Sequence, residues 1–198
     1  DVDGVITDIN EKKVKQIEMF EELIRRLENS PIAFNTGRTT AWVIDKVVEP
    51  LRHFIQERGK SLKILSNLFI VGEMGGTWVE FDKEGNMEEH IDYTISVPDN
   101  IREEVKRLVG EKYSDTMFYD PDKKTMVTVE KNLNCPQEEF EAVQSQLAAE
   151  LRTLLSLYDE KELMVDETTI AIDLENAHAG KDLGARRFLE WLACRKIS

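Results

Sequence analysis

A chain of 198 residues is long enough to bury a core of one large domain or a domain with an insertion, and its composition, 33% charged and 41% hydrophobic, is that of a folded protein rather than a disordered one. With 26 Lys and Arg against 39 Asp and Glu, the formal net charge of -13 argues against broad electrostatic attraction to nucleic acid or to an anionic membrane. Cys135 and Cys194 are too few and too far apart for a disulfide framework or a thiolate metal site, which fits a reducing, cytoplasmic setting.

No apolar run is long enough to span a bilayer, and the start of the chain lacks a basic segment followed by an apolar one. Asp1 and Asp3 stand two positions apart before Gly4. In an extended segment both carboxylates project to one side, and the glycine lets the chain turn beyond them. Paired carboxylates suit a hard cation such as magnesium, and one of them can attack phosphorus while the other handles a proton. On the pair alone a solvated Asp-rich turn is the better reading, since short Asp and Gly runs are common in loops.

After Asn10 the spacing of Val14, Ile17, Phe20, Leu23, Ile24 and Leu27 predicts an amphipathic helix. Asn29, Ser30 and Pro31 end it, and Ile32, Ala33 and Phe34 form a short strand leading into the polar turn Asn35, Thr36, Gly37, Arg38. Thr36 at a strand end, with the N–H of Gly37, is placed to donate to a phosphate oxygen, although a capping threonine in a turn accounts for the same residues. Arg38 suits either a substrate anion or a local ion pair.

Thr39 or Thr40 caps a second helix carrying Trp42, Val43, Val47, Val48 and Leu51, and the run 68–71 reads as a buried strand. Alternating strands and helices predict an α/β fold with a parallel sheet. Past Gly75 and Gly76, residues 77–81 and a second extended stretch flank the turn-rich segment 82–86, as in a hairpin. A second module then mixes a helix near 101–109, a strand at 126–129, a helix from about 136 to 155, and strands at 163–165 and 169–172. After Gly180 a last helix carries Leu183, Phe188, Leu189 and Leu192 and returns to the first module.

Lys181 opens that helix, where a fixed ammonium can neutralise phosphoryl charge, as a surface lysine can also sit. His178 lies three residues earlier, suited to a leaving group or to an exposed loop, whereas His53 and His90 have no partner pattern. The cluster Asp159, Glu160 and Glu162 around Lys161 reads as a solvated surface, and Trp42, Trp78 and Trp191 as core or contact residues.

Taken in order, the stretches 1–7 (Asp-Val-Asp-Gly-Val-Ile-Thr), 35–38 (Asn-Thr-Gly-Arg) and 180–185 (Gly-Lys-Asp-Leu-Gly-Ala), with Gly75-Gly76 before an insertion, resemble the haloacid dehalogenase superfamily of phosphohydrolases. The likeness is to its branch with a large cap between the second and third motifs. It implies a Rossmann-like parallel-sheet α/β core at 1–81 and 175–198 and an α+β cap at 82–174 that closes over the substrate.

It further implies Asp1 as the nucleophile that forms a phosphoaspartate, Asp3 as acid and base, Thr36 and Gly37 as phosphate-binding groups, and Lys181 as a charge stabiliser. A magnesium ion would lie on Asp1 and the backbone carbonyl of Asp3. The expected reaction is hydrolysis of a small phosphorylated metabolite, of the sugar phosphate or phosphoglycolate type. A phosphosugar mutase and a non-catalytic binding module are the alternatives. The superfamily also has a fourth acidic motif after the lysine helix and an apolar strand before the nucleophile. Their absence between Asp1 and Ser198 leads to the expectation of a trimmed chain that lacks at least one core strand and one metal ligand.

Overall fold

The computed structural model describes residues 1–8 and 11–195, so Asn10, from which the first helix was expected to follow, lies outside the described residues. Two compact units are present, one of Asp1–Ile91 with Gly180–Ser198 and the other of Asp92–Ala179.

In the first unit, helix α1 spans Ile17–Leu27 and buries Leu23, Ile24 and Leu27. Val14 precedes it. The turn before α1 explains the late start: Asp8 accepts the N–H of Glu11 on its side chain at 2.8 Å, and Lys12 takes a left-handed φ of 55°. Such a local side-chain bond offers the backbone an alternative to helix. Strand β1 (Ile32–Asn35) follows, then α2 (Thr40–Val43), a π-type turn (Ile44–Val48) and α3 (Glu49–Glu57) in one helical run. Thr39 caps it, its Oγ1 accepting the N–H of Trp42 at 3.1 Å.

Strands β2 (Leu68–Gly72), β3 (Thr77–Phe81) and β4 (Met87–Ile91) complete a sheet of order β1-β2-β3-β4. The β1–β2 pair is parallel and the other two pairs are antiparallel. β2 is apolar throughout because both of its faces are covered. Leu68 and Ile70 pack with the α1–α3 layer, while Phe69 and Val71 pack with Trp191, Phe188 and Leu192 of α6 (Lys181–Cys194). Burying Phe69, Leu68 and Ile70 almost completely contributes about 2 kcal/mol each. The hairpin residues 82–86 keep β4 in this unit, since β4 pairs with β3 over five residues.

In the second unit, α4 (Asp99–Lys112) and α5 (Gln137–Leu157) pack their apolar faces on an antiparallel sheet of order β5-β6-β8-β7, made of Met117–Tyr119, Val127–Lys131, Ala171–Asn176 and Leu163–Glu167. Val127, Val129, Ile172 and Leu174 point to the helices. By strand alternation Thr128, Asp173 and Glu175 occupy the opposite face. Among the described residues no helix is long and apolar enough to cross a membrane. The whole is an α/β core interrupted by an α+β unit.

Candidate active site

Three loops of the first unit carry most of the chemistry-bearing residues. The first, residues 1–7, turns around one carbonyl. Val2 is fully buried, and its oxygen accepts the N–H groups of Ile6 at 2.9 Å and Thr7 at 3.1 Å and the hydroxyl of Thr7 at 3.3 Å. Gly4 supplies the φ of 72° that this turn requires. With Val2 anchored inward, Asp1 and Asp3 are left toward the outside, Asp1 exposed and Asp3 half-buried.

The second loop follows β1. Thr36 is 1% exposed, its N–H donates to Val71 O at 3.0 Å, and its Oγ1 accepts the N–H of Arg38 at 3.2 Å. The third joins β2 to β3 through Glu73, Met74 and Gly75, all with positive φ (48°, 54° and 100°). A left-handed backbone at two consecutive non-glycine residues is costly and persists only when its surroundings enforce it. Here the enforcing bonds run to the other loops. Glu73 N–H donates to Arg38 O at 2.9 Å, Met74 N–H to Thr36 O at 3.3 Å, and Gly180 N–H to Met74 O at 2.6 Å. Gly75 is required, because a Cβ there would lie 2.8 Å from Cγ of Leu183.

This tie brings the start of α6 to the end of β1. Lys181 Nζ lies 3.2 Å from Asp1 Oδ2 and donates to Asn35 O at 2.7 Å. On the neighbouring carboxylate, Arg38 Nε donates to Asp3 Oδ2 at 3.0 Å and Lys12 Nζ lies 3.4 Å from Asp3 Oδ1. The Arg38 guanidinium also sits 5.2 Å from the ring centroid of Trp42.

Partial burial pushes the Asp3 carboxyl up, but the hydrogen bond and charge of Arg38, with Lys12 behind them, outweigh it and hold Asp3 below the usual carboxylate range. Burial lowers the Lys181 ammonium from its ordinary value, opposed in part by the charge of Asp3.

Of the residues singled out in the sequence, Asp1, Asp3, Thr36, Gly37, Arg38 and Lys181 thus belong to one unit, and ion pairs join Lys181 to Asp1 and Arg38 to Asp3. His178 belongs to the second unit, where it is exposed and its N–H donates to Asn176 Oδ1 at 2.9 Å. Asn35, Lys12 and Met74 were not anticipated. Only Asn35 left a trace in the sequence, as a polar residue ending an apolar strand.

As a cation site, Asp1 and Asp3 offer hard oxygen donors of the type that magnesium accepts. Among the described residues no three or more His, Cys, Asp or Glu side chains gather into a metal-binding group. Two side-chain donors of this kind are present, and an ion held by them would draw its remaining ligands from backbone carbonyl, water and phosphate.

No protein-family model matches the sequence, and no curated protein does. Solved structures do match. A Plasmodium falciparum IMP-nucleotidase superposes with a TM-score of 0.61 at 12% identity, over 91% of this chain and 52% of the nucleotidase chain. A C-terminally truncated form of that protein gives 0.60 at 13%, over 100% and 58%. An IMP-bound mutant of the same protein gives 0.56 at 13%, over 92% and 52%. The chain therefore spans about half the length of the structures it matches, and the likeness establishes a shared fold.

Proposed function

With the haloacid dehalogenase fold as the premise, we propose that this chain is part of a phosphomonoester hydrolase in which Asp1 is the nucleophile. The observation that carries the reading is the contact of Lys181 Nζ with Asp1 Oδ2 at 3.2 Å, which sets a fixed ammonium beside the carboxylate that would attack phosphorus. An Asp1 oxygen bonds to phosphorus as the ester oxygen leaves, and Asp3 gives that oxygen a proton. Asp3 then takes a proton from a water that attacks the same phosphorus, which frees phosphate and restores Asp1. Thr36 and Gly37, at the strand end, hold the transferring group.

The two steps ask opposite protonation states of Asp3. Arg38 and Lys12 favour the anion that the second step uses. For the first, Asp3 must carry a proton, and the substrate dianion supplies the means by drawing the Arg38 guanidinium from the carboxylate to its own oxygens. A guanidinium suits both partners, since its fork matches carboxylate and phosphate alike. A magnesium ion held by the Asp1 carboxylate and the Asp3 carbonyl would neutralise phosphoryl charge when bound.

The substrate is a small phosphorylated metabolite. The likeness to a protein solved with IMP supports that size and chemistry, and a sugar phosphate or phosphoglycolate falls in the same class. The test is hydrolysis of a generic aryl phosphate by the full-length protein with magnesium. Asp1→Asn is expected to lower turnover by about 10³-fold or more, and undiminished turnover overturns the assignment.

A further inference from the structure

Asn35 takes no part in the reaction set out above. It shares with Ala33 the face of β1 that α6 covers, so its amide meets the first turn of that helix. Asn35 Nδ2 donates to the backbone carbonyl of Lys181 at 2.7 Å, and the backbone carbonyl of Asn35 accepts from Lys181 Nζ at 2.7 Å. The two bonds run in opposite directions between the same two residues and hold Lys181 at its main chain and at its ammonium.

Two further observations show that the fold is built around this amide. Gly184 lies one helical turn after Lys181, and a Cβ there would stand 2.5 Å from Asn35 Oδ1 and 2.8 Å from its Cγ, so the helix backbone rests directly on the asparagine. Asn35 Oδ1 is itself buried with no hydrogen-bond partner. A buried orphan oxygen costs stability, and an apolar side chain of similar size would avoid the cost. The stability of β1 therefore does not explain the asparagine.

We propose that Asn35 is a positioning residue that fixes the Lys181 ammonium against Asp1, with Gly184 admitting it to the helix. The proposal rests on Lys181 acting on the phosphoryl group as described above. Cutting the Asn35 amide removes the bond to the Lys181 main chain and leaves the bonds of its ammonium and of Gly180, so the ammonium is held less tightly while its charge stays.

The test uses the full-length protein and two readouts. The first is the pH-dependent acetylation rate of each lysine, followed by mass spectrometry. In Asn35→Ala, Lys181 is expected to react several-fold faster than in the wild type while the other lysines keep their rates. The second is turnover of an aryl phosphate: kcat is expected to fall about tenfold with KM little changed, and the same substitution in a Lys181→Met background is expected to cost nothing further. If Asn35→Ala does not fold, Gly184→Ala, which keeps the asparagine but pushes the helix off it, is expected to give the same two signatures.

Unchanged Lys181 acetylation in a folded variant overturns the proposal, as does an equal loss of kcat with and without Lys181. Full activity in Lys181→Met overturns the reading of the reaction instead, and the acetylation rates still report on the clamp.

Discussion

Arg38 reaches 35 positions back to Asp3, its Nε donating to Oδ2 at 3.0 Å, and so the residue cast as acid and base rests as an anion. Replacing Arg38 by Ala removes the strongest support of that anion. The Asp3 carboxyl is expected to titrate at higher pH, read by carbon NMR of the labelled side chain. Because its folded pKa lies below the unfolded one, the pair stabilises the protein above the unfolded value near 3.8, and the gain is lost as pH falls through the lower, folded value. Arg38→Ala is therefore expected to cost about 0.5–1 kcal/mol more in urea unfolding at pH 7 than in strong acid, where only the contact with the Trp42 ring is lost.

Lys181 makes the opposite demand on pH. Its ammonium is lowered by burial, so activity that needs the charge is expected to decline on the alkaline side before an ordinary lysine would lose its proton. Lys181→Met is expected to reduce kcat by about 10²-fold while thermal unfolding changes little, because the side chain is partly exposed. A pH profile of kcat beside a melting curve checks both.

The helices and buried strands were legible because their apolar spacing is long and regular. α4, α5 and α6 run close to the predicted spans, and residues 68–71 form β2 as expected. β5 escaped notice, since three residues with Phe118 exposed carry no alternation to read. β8 begins at Ala171 instead of Thr169, for the hydroxyl of Thr168 accepts the N–H of Ala171 at 3.0 Å and turns the chain there. At the site, residue types and order were readable from the motifs. Pairing was not: nothing local tells that Arg38 meets Asp3 or that Asn35 meets Lys181, because those contacts exist only once β1, the 73–75 loop and α6 are assembled.

That loop gives a third prediction. Gly75→Ala places a Cβ against Leu183 at a φ of 100°, and both effects disfavour the fold. A loss of about 1–3 kcal/mol in urea unfolding is expected, with reduced turnover, since Arg187 Nε also donates to Gly75 O at 2.6 Å and shifts with it.

In the second unit, Asp166 stands opposite Asp173 across β7 and β8, and Glu175 lies two residues beyond Asp173 on the same face. Asp173 accepts from Thr128 Oγ1 at 2.5 Å, whereas Glu175 Oε2 is buried without a partner. Burial first, then the charges of Asp173 and Asp166, push Glu175 up to about 7, with Lys123 opposing. A raised carboxyl favours the protonated folded state, so this unit is expected to lose stability as pH rises from the unfolded value near 4.5 through about 7. Amide exchange of β7 and β8 is expected to quicken between pH 5.5 and 8 beyond its intrinsic rise. Glu175→Gln is expected to remove most of the difference, on the order of 1–2 kcal/mol after solvent screening, the remainder belonging to Asp173, whose carboxyl burial also raises.

The measurement that bears most directly on the reaction is chemical trapping of the phosphorylated nucleophile. Borohydride added to the full-length protein during turnover of an aryl phosphate reduces an aspartyl phosphate to homoserine, which peptide mass spectrometry locates. Homoserine at position 1, lost in the Asp1→Asn variant, is the expected result. Turnover with homoserine at another carboxylate, or at none, contradicts the account.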